Sequence, residues 1–126
     1  MSLLPSDDRR YLDSHKLPYR EVSDGGHKGV VLVDYKLPED RFHVAEAQIL
    51  ILLPSGYPDT PPDMFYVLPW LQFRPGGDYP YRADKSWQFE GQDWQRWSRH
   101  SSEWRPGTDG IWTMVQRVNR ALREAR

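Results

Sequence analysis

The side chains best equipped for recognition or nucleophilic chemistry crowd into one stretch, Trp94-Gln95-Arg96-Trp97-Ser98-Arg99-His100-Ser101-Ser102, with Trp104 just beyond it. A serine near a histidine pairs an alcohol with a base, so Ser98 and His100 are the candidate catalytic pair, with Ser101 and Ser102 as alternative hydroxyls. Trp and Arg are the side chains most enriched where binding energy concentrates, so Trp94, Arg96, Trp97, Arg99 and Trp104 form the candidate binding set. Sequence neighbours meet in hydrogen-bonding geometry only where a turn allows it, and a triad needs a third, orienting group. Binding is therefore the favoured reading, ahead of acyl transfer through a serine. A plainer reading runs beside both: Trp fills a small core, Arg solvates a helix, and a lone His between Arg and Ser is a hydrogen-bonded structural residue.

What the chain lacks narrows the chemistry further. It has no cysteine, which excludes disulfides, thiolate metal sites and thiol nucleophiles. His15, His27, His43 and His100 are scattered without metal-ligand spacing, so no metal is expected. Gly25-Gly26 and Gly76-Gly77 are turn pairs without a following helix or a suitably placed Lys, so no phosphate loop and no cofactor are expected. The formal net charge is −1, but it is unevenly spread: residues 1–81 carry 8 basic and 12 acidic side chains, residues 82–126 carry 9 and 6. Five of the six Trp lie beyond residue 86. An Arg- and Trp-rich C-terminal part suits RNA, but the excess of charge is modest and no nucleic-acid signature is present; nucleic-acid binding ranks third. No apolar run is long enough to span a bilayer, and the N-terminus lacks a secretory pattern, so a cytoplasmic protein without a membrane partner is expected. At 126 residues the chain supports one core, and residues 1–126 are expected to form one domain.

The elements that must position these residues follow from pattern. Ser6 to Asp13 reads as a short helix with Ser6 as its cap and two Asp in its first turn. Tyr19–Val22, Gly29–Tyr35, His43–Leu53 and Asp63–Leu68 read as four strands in an antiparallel meander, the first two joined by a turn at 23–27. Four Pro between 54 and 62 forbid helix and ladder pairing there and predict a rigid crossing. Residues 69 to 107 show no sustained period and are expected to be irregular but packed. Ile111, Met114, Val115, Val118 and Leu122 repeat at helical spacing, and Thr108 or Asp109 can cap that helix. The expected class is α+β, four strands with a helix at each end.

Leu53-Pro54-Ser55-Gly56-Tyr57-Pro58-Asp59-Thr60-Pro61-Pro62-Asp63-Met64-Phe65 resembles the core signature of the ubiquitin-conjugating enzyme superfamily, with Tyr57, Pro58, Pro61 and Pro62 in its motif positions. Trp104-Arg105-Pro106 and the helix after it resemble the family's Trp-x-Pro and following helix. The Trp-rich run Phe89 to His100 is similar to a bacterial branch, prokaryotic family E. The resemblance spans residues 6 to 126 and implies the ubiquitin-conjugating fold. It also implies a place among ubiquitin-like proteins, activating-enzyme-like proteins and metallopeptidases, with the first two as partners.

The same resemblance marks where the family's chemistry is missing. A conjugating enzyme carries its cargo as a thioester on a Cys shortly before the Trp-x-Pro; here that place falls near Trp94 to Trp97. The family's His-Pro-Asn, whose Asn is linked to oxyanion stabilisation, is replaced by Tyr79-Pro80-Tyr81. With thiol and amide both absent, thioester transfer is excluded. The expected role is to bind a ubiquitin-like protein, its C-terminal carboxylate or its activating enzyme; the alternative is an oxyester on a serine near His100.

Overall fold

Strand-forming alternation in the first half of the chain and helical spacing at its end give an α+β arrangement in the computed structural model, which describes residues 4–74, 76–99 and 103–126. The elements are α1 (Ser6–Ser14), β1 (Tyr19–Asp24), β2 (His27–Lys36), β3 (Glu46–Leu53), β4 (Phe65–Leu68), β5 (Lys85–Phe89), β6 (Gln92–Trp97) and α2 (Ile111–Glu124). All strands join one antiparallel sheet in the order β1-β2-β3-β4-β6-β5.

The first four strands are the expected meander. Among the described residues the sheet nevertheless has six strands, not four, because the stretch read as irregular contains the β5–β6 hairpin. Its two-residue turn, Glu90-Gly91, has φ of 52° and 72°, the left-handed pair that matches the twist of a tight hairpin. Glu at the first turn position gives no turn signal in sequence. Trp94, Gln95 and Trp97 are all buried, which hides the period of β6.

Both faces of the sheet are apolar, and two different things cover them. Leu32, Ile49, Phe65, Val67 and Trp97 face a core shared with Leu12 of α1 and the stripe Ile111, Met114, Val115, Val118 and Leu122 of α2. Val22, Val31, Leu50, Tyr66, Phe89 and Trp94 form a second core on the far side. Among the described residues no helix covers that side; the sheet curls so that its last hairpin returns to its first strands. Glu90 pairs with Arg20 at 3.0 Å, its N–H donates to Asp24 Oδ2 at 2.7 Å, and Trp87 sits edge-on to His27.

The helix caps differ from expectation. Pro5, not Ser6, precedes α1, and no side chain caps it. Gly110, not Thr108 or Asp109, is the N-cap of α2. The cap's work is done from outside the helix: Asp8 Oδ1 accepts the Ile111 N–H at 3.2 Å, bridging 103 residues of chain. A Cβ at position 110 would come within 2.7 Å of that oxygen, so only glycine admits the carboxylate. Asp8 Oδ2 also accepts the Tyr57 hydroxyl at 2.5 Å, tying the proline crossing to both helices.

Candidate functional site

The proline crossing fixes one side of the site. Tyr57 anchors to Asp8, and burial together with that carboxylate pushes its phenol far above the ordinary range, so it stays a neutral donor. The next carbonyl, Pro58 O, accepts the Trp104 indole N–H at 2.8 Å, and the Tyr57 and Trp104 rings lie 6.3 Å apart. Tyr57, Pro58 and Trp104 thus form one joint, while Pro62 is buried under it. Pro106 is exposed and starts the turn into α2.

Beside that joint runs an open groove of about 1270 Å³, bounded on one side by α2 and on the other by Tyr81, Arg82, Ser98, Arg99 and residues 103–105. Ser98, Arg99 and Trp104 of the expected set line it; Tyr81, Arg82, Arg105, Trp112, Arg117 and Arg120 join them. The Ser98 N–H donates to Arg82 O at 3.1 Å, which brings the two segments together. Arg99 lies over the Trp97 ring at 4.9 Å and donates to the carbonyls of Tyr81 and Ser98 at 2.9 and 3.1 Å. Its partial burial, with Arg82 nearby, holds its guanidinium below the usual arginine value. Across the groove, Arg117 is half-buried and donates to Asp63 O at 2.7 Å.

One carboxylate organises the mouth of α2. Asp109, with a side chain only 3% exposed, accepts the Arg105 N–H at 2.8 Å, the Arg105 guanidinium at 2.9 Å and the Thr113 hydroxyl at 3.1 Å. Arg105 holds its carboxyl down at about 2, so the pair stays ionised in neutral solution.

Three expected binding residues are not in the groove. Trp94 and Trp97 are fully buried, and neither can touch a partner. Trp94 fills the second core and donates its indole N–H to Phe89 O at 3.2 Å. Trp97 stacks on Phe65 at 5.5 Å in the first core. Arg96 sits opposite Tyr66 on the far face of the sheet, away from the groove. Between them the buried Gln95 uses all its hydrogen-bonding capacity: its oxygen accepts from Leu71 N and Trp97 Nε1, and its nitrogen donates to Leu71 O and Ala83 O. The plainer reading of the tryptophans therefore holds for these two, which bound the stretch where the resemblance places the family's cysteine. The other half of the candidate catalytic pair, His100, and the hydroxyls of Ser101 and Ser102 lie outside the described residues.

Sequence reasoning did not find Arg82 or Trp112. Trp112, Gln116 and Arg120 recur at intervals of four, the signature of one helix face turned away from the apolar stripe, so that face was readable. Arg82 was not, because its left-handed backbone, φ 58°, is set by tertiary structure.

Neither a curated protein nor a solved structure gives a significant match to the chain. Residues 4–125 match the family described as prokaryotic E2 family E, nearly the whole chain. With the α+β sheet, the proline crossing and its Trp104 joint in place, the chain belongs to prokaryotic E2 family E, a conjugating-enzyme-like family.

Proposed function

We propose that the protein is a noncatalytic member of a ubiquitin-like modification pathway, which docks a ubiquitin-like protein in the groove along α2 instead of carrying it as a thioester. The observation behind this reading is the meeting of Ser98, Arg99 and Trp104 in one open groove, in a family-E chain with no cysteine. The groove holds the side-chain types that concentrate binding energy, and Trp97 and Gln95 beneath it give Arg99 a rigid floor. An activating-enzyme-like protein is the second partner, reached through the same pathway.

One observation keeps the oxyester reading in view. Ser98 lines the groove beside Arg82 and Arg99, whose charge would stabilise an alkoxide at that point. Incubation with activating enzyme, ATP and the ubiquitin-like protein, followed by mass spectrometry, separates the two. The docking role predicts a complex in the micromolar range and no covalent adduct. An adduct that resists reducing agent and vanishes in Ser98→Ala would replace docking with oxyester transfer.

A further inference from the structure

A second cavity, of about 610 Å³, opens on a different face of α2 and shares no lining residue with the groove. Its volume is that of a small-molecule site. Leu17, Leu32 and Val115 give it an aliphatic floor, and Tyr11 closes one wall with its ring against His15 at 4.0 Å. Two pieces of strained backbone shape it. Lys16, at φ 54°, ends α1 as the Leu17 N–H returns to Leu12 O at 2.9 Å. Asp34, also at φ 54°, sits in a break of register in β2 between Leu32 and Tyr35. The extra residue puts Leu32 and Tyr35 on the same face, so the phenol and not the Asp34 carboxylate turns inward. The Val33 N–H donates to Pro18 O at 2.8 Å and ties the two bends together. Left-handed backbone at non-glycine residues costs stability and is retained where a site needs its shape.

The bulge brings one hydrogen-bonding edge to the cavity. Tyr35 is 6% exposed, and burial, with the Tyr11 phenol nearby, pushes its hydroxyl up to about 12, so it stays a neutral donor. That hydroxyl donates to Asn119 Oδ1. The bond fixes the amide: its nitrogen turns away from Tyr35, and its N–H donors meet no acceptor among the described residues. The phenol oxygen keeps its lone pairs. A donor from Asn119 and an acceptor from Tyr35 thus stand side by side over an apolar floor. The charges at the mouth cancel: Lys36 pairs with Glu46, and Lys16 is balanced by Asp34. No net field there favours a phosphate chain or another polyanion. We infer that this cavity binds an uncharged planar cyclic amide, a lactam ring, whose carbonyl accepts from Asn119 Nδ2 and whose adjacent N–H donates to Tyr35 Oη. The flat ring lies over Leu32 and Val115 with Tyr11 beside it. The inference stands apart from the docking reading, because the cavity and the groove have separate walls.

The test is an NMR titration of the isotope-labelled protein with 2-quinolinone, an uncharged two-ring lactam, beside N-methyl-2-quinolinone, which lacks the N–H. 2-Quinolinone should give saturable shifts at Tyr11, Leu17, Tyr35 and Asn119, with Arg99, Trp104 and Trp112 of the groove unmoved. It should bind about tenfold tighter than the N-methyl ring, the loss expected of one hydrogen bond. Asn119→Asp keeps an oxygen for Tyr35 and exchanges the donor nitrogen for an acceptor; at this exposed position the fold should hold and the affinity should fall about tenfold. If Asn119→Asp loses the native spectrum, Tyr35→Phe, which keeps the ring in the core, carries the same expectation. Lys28→Gln, exposed on β2 and outside the cavity, should leave binding intact. Equal affinity of the two rings, or of the parent and the folded variant, overturns recognition of the lactam edge. No saturable shift at the cavity residues overturns the site. Displacement of the ring by the ubiquitin-like protein would make the cavity part of a protein interface and overturn the small-molecule reading, while the docking reading would be tested by the groove shifts alone.

Discussion

At the scale of single residues, the buried polar groups decide most. Gln95 satisfies four partners at once, so Gln95→Leu strands the Leu71 amide, two carbonyls and the Trp97 indole. That should cost more than about 3 kcal/mol in chemical denaturation, well above an ordinary surface change. Asp8 is the corresponding knot at the helix end. Gly110→Ala should destabilise by about 1–3 kcal/mol, because the new methyl meets the Asp8 carboxylate. Asp109 gives a pH signature. Its folded carboxyl titrates near 2, below its ordinary value of 3.8, so its contribution is fully present above pH 4 and is lost as the pH falls through 2. Thermal melts of Asp109→Asn and of the parent should differ at neutral pH and converge on acidification through that window. None of these knots is legible in sequence. Gln95 reads as one more polar residue in a Trp-rich run, and Asp8 reads as a first-turn acid that suits the dipole. Their partners lie up to 103 residues away, and no local pattern encodes that distance.

At the scale of elements, local signals worked where local physics is strong. Proline acts on its own backbone, so the crossing at 54–62 was readable, as were the Gly25-Gly26 turn and the α2 stripe. The β5–β6 hairpin was not, since burial on both faces erases alternation and Glu90 occupies a turn position that Asn or Gly more often fills. The hairpin changes what the tryptophans mean. Trp94→Ala and Trp97→Ala remove rings that fill two separate cores. Each should destabilise the fold by about 3–5 kcal/mol, read as a lowered denaturation midpoint, and not act as a selective binding defect. Trp104→Phe is the contrasting change: it removes the bond to Pro58 O at the groove wall and should cost only about 1 kcal/mol of stability.

At the scale of the whole molecule, the chain keeps a conjugating-enzyme-like plan around a curled sheet and has no cysteine. In the stretch where the resemblance places a thiol, Trp94 and Trp97 pack into the two cores on opposite faces of β6. Among the described residues, an open groove runs between α2 and Tyr81, Arg82, Ser98, Arg99 and residues 103–105. Of the candidate site read from sequence, Ser98, Arg99 and Trp104 reach that groove; Trp94, Arg96 and Trp97 do not. The difference is one of side-chain direction, which depends on strand register and on the curl of the sheet. The most direct test is to titrate the isotope-labelled protein with the ubiquitin-like protein and follow every amide by NMR. The account predicts saturable shifts gathered at Arg82, Ser98, Arg99, Trp104 and Trp112, with the far-face residues Tyr66, Trp87 and Arg96 unmoved. Shifts centred on that far face, or none at saturating partner, would contradict it.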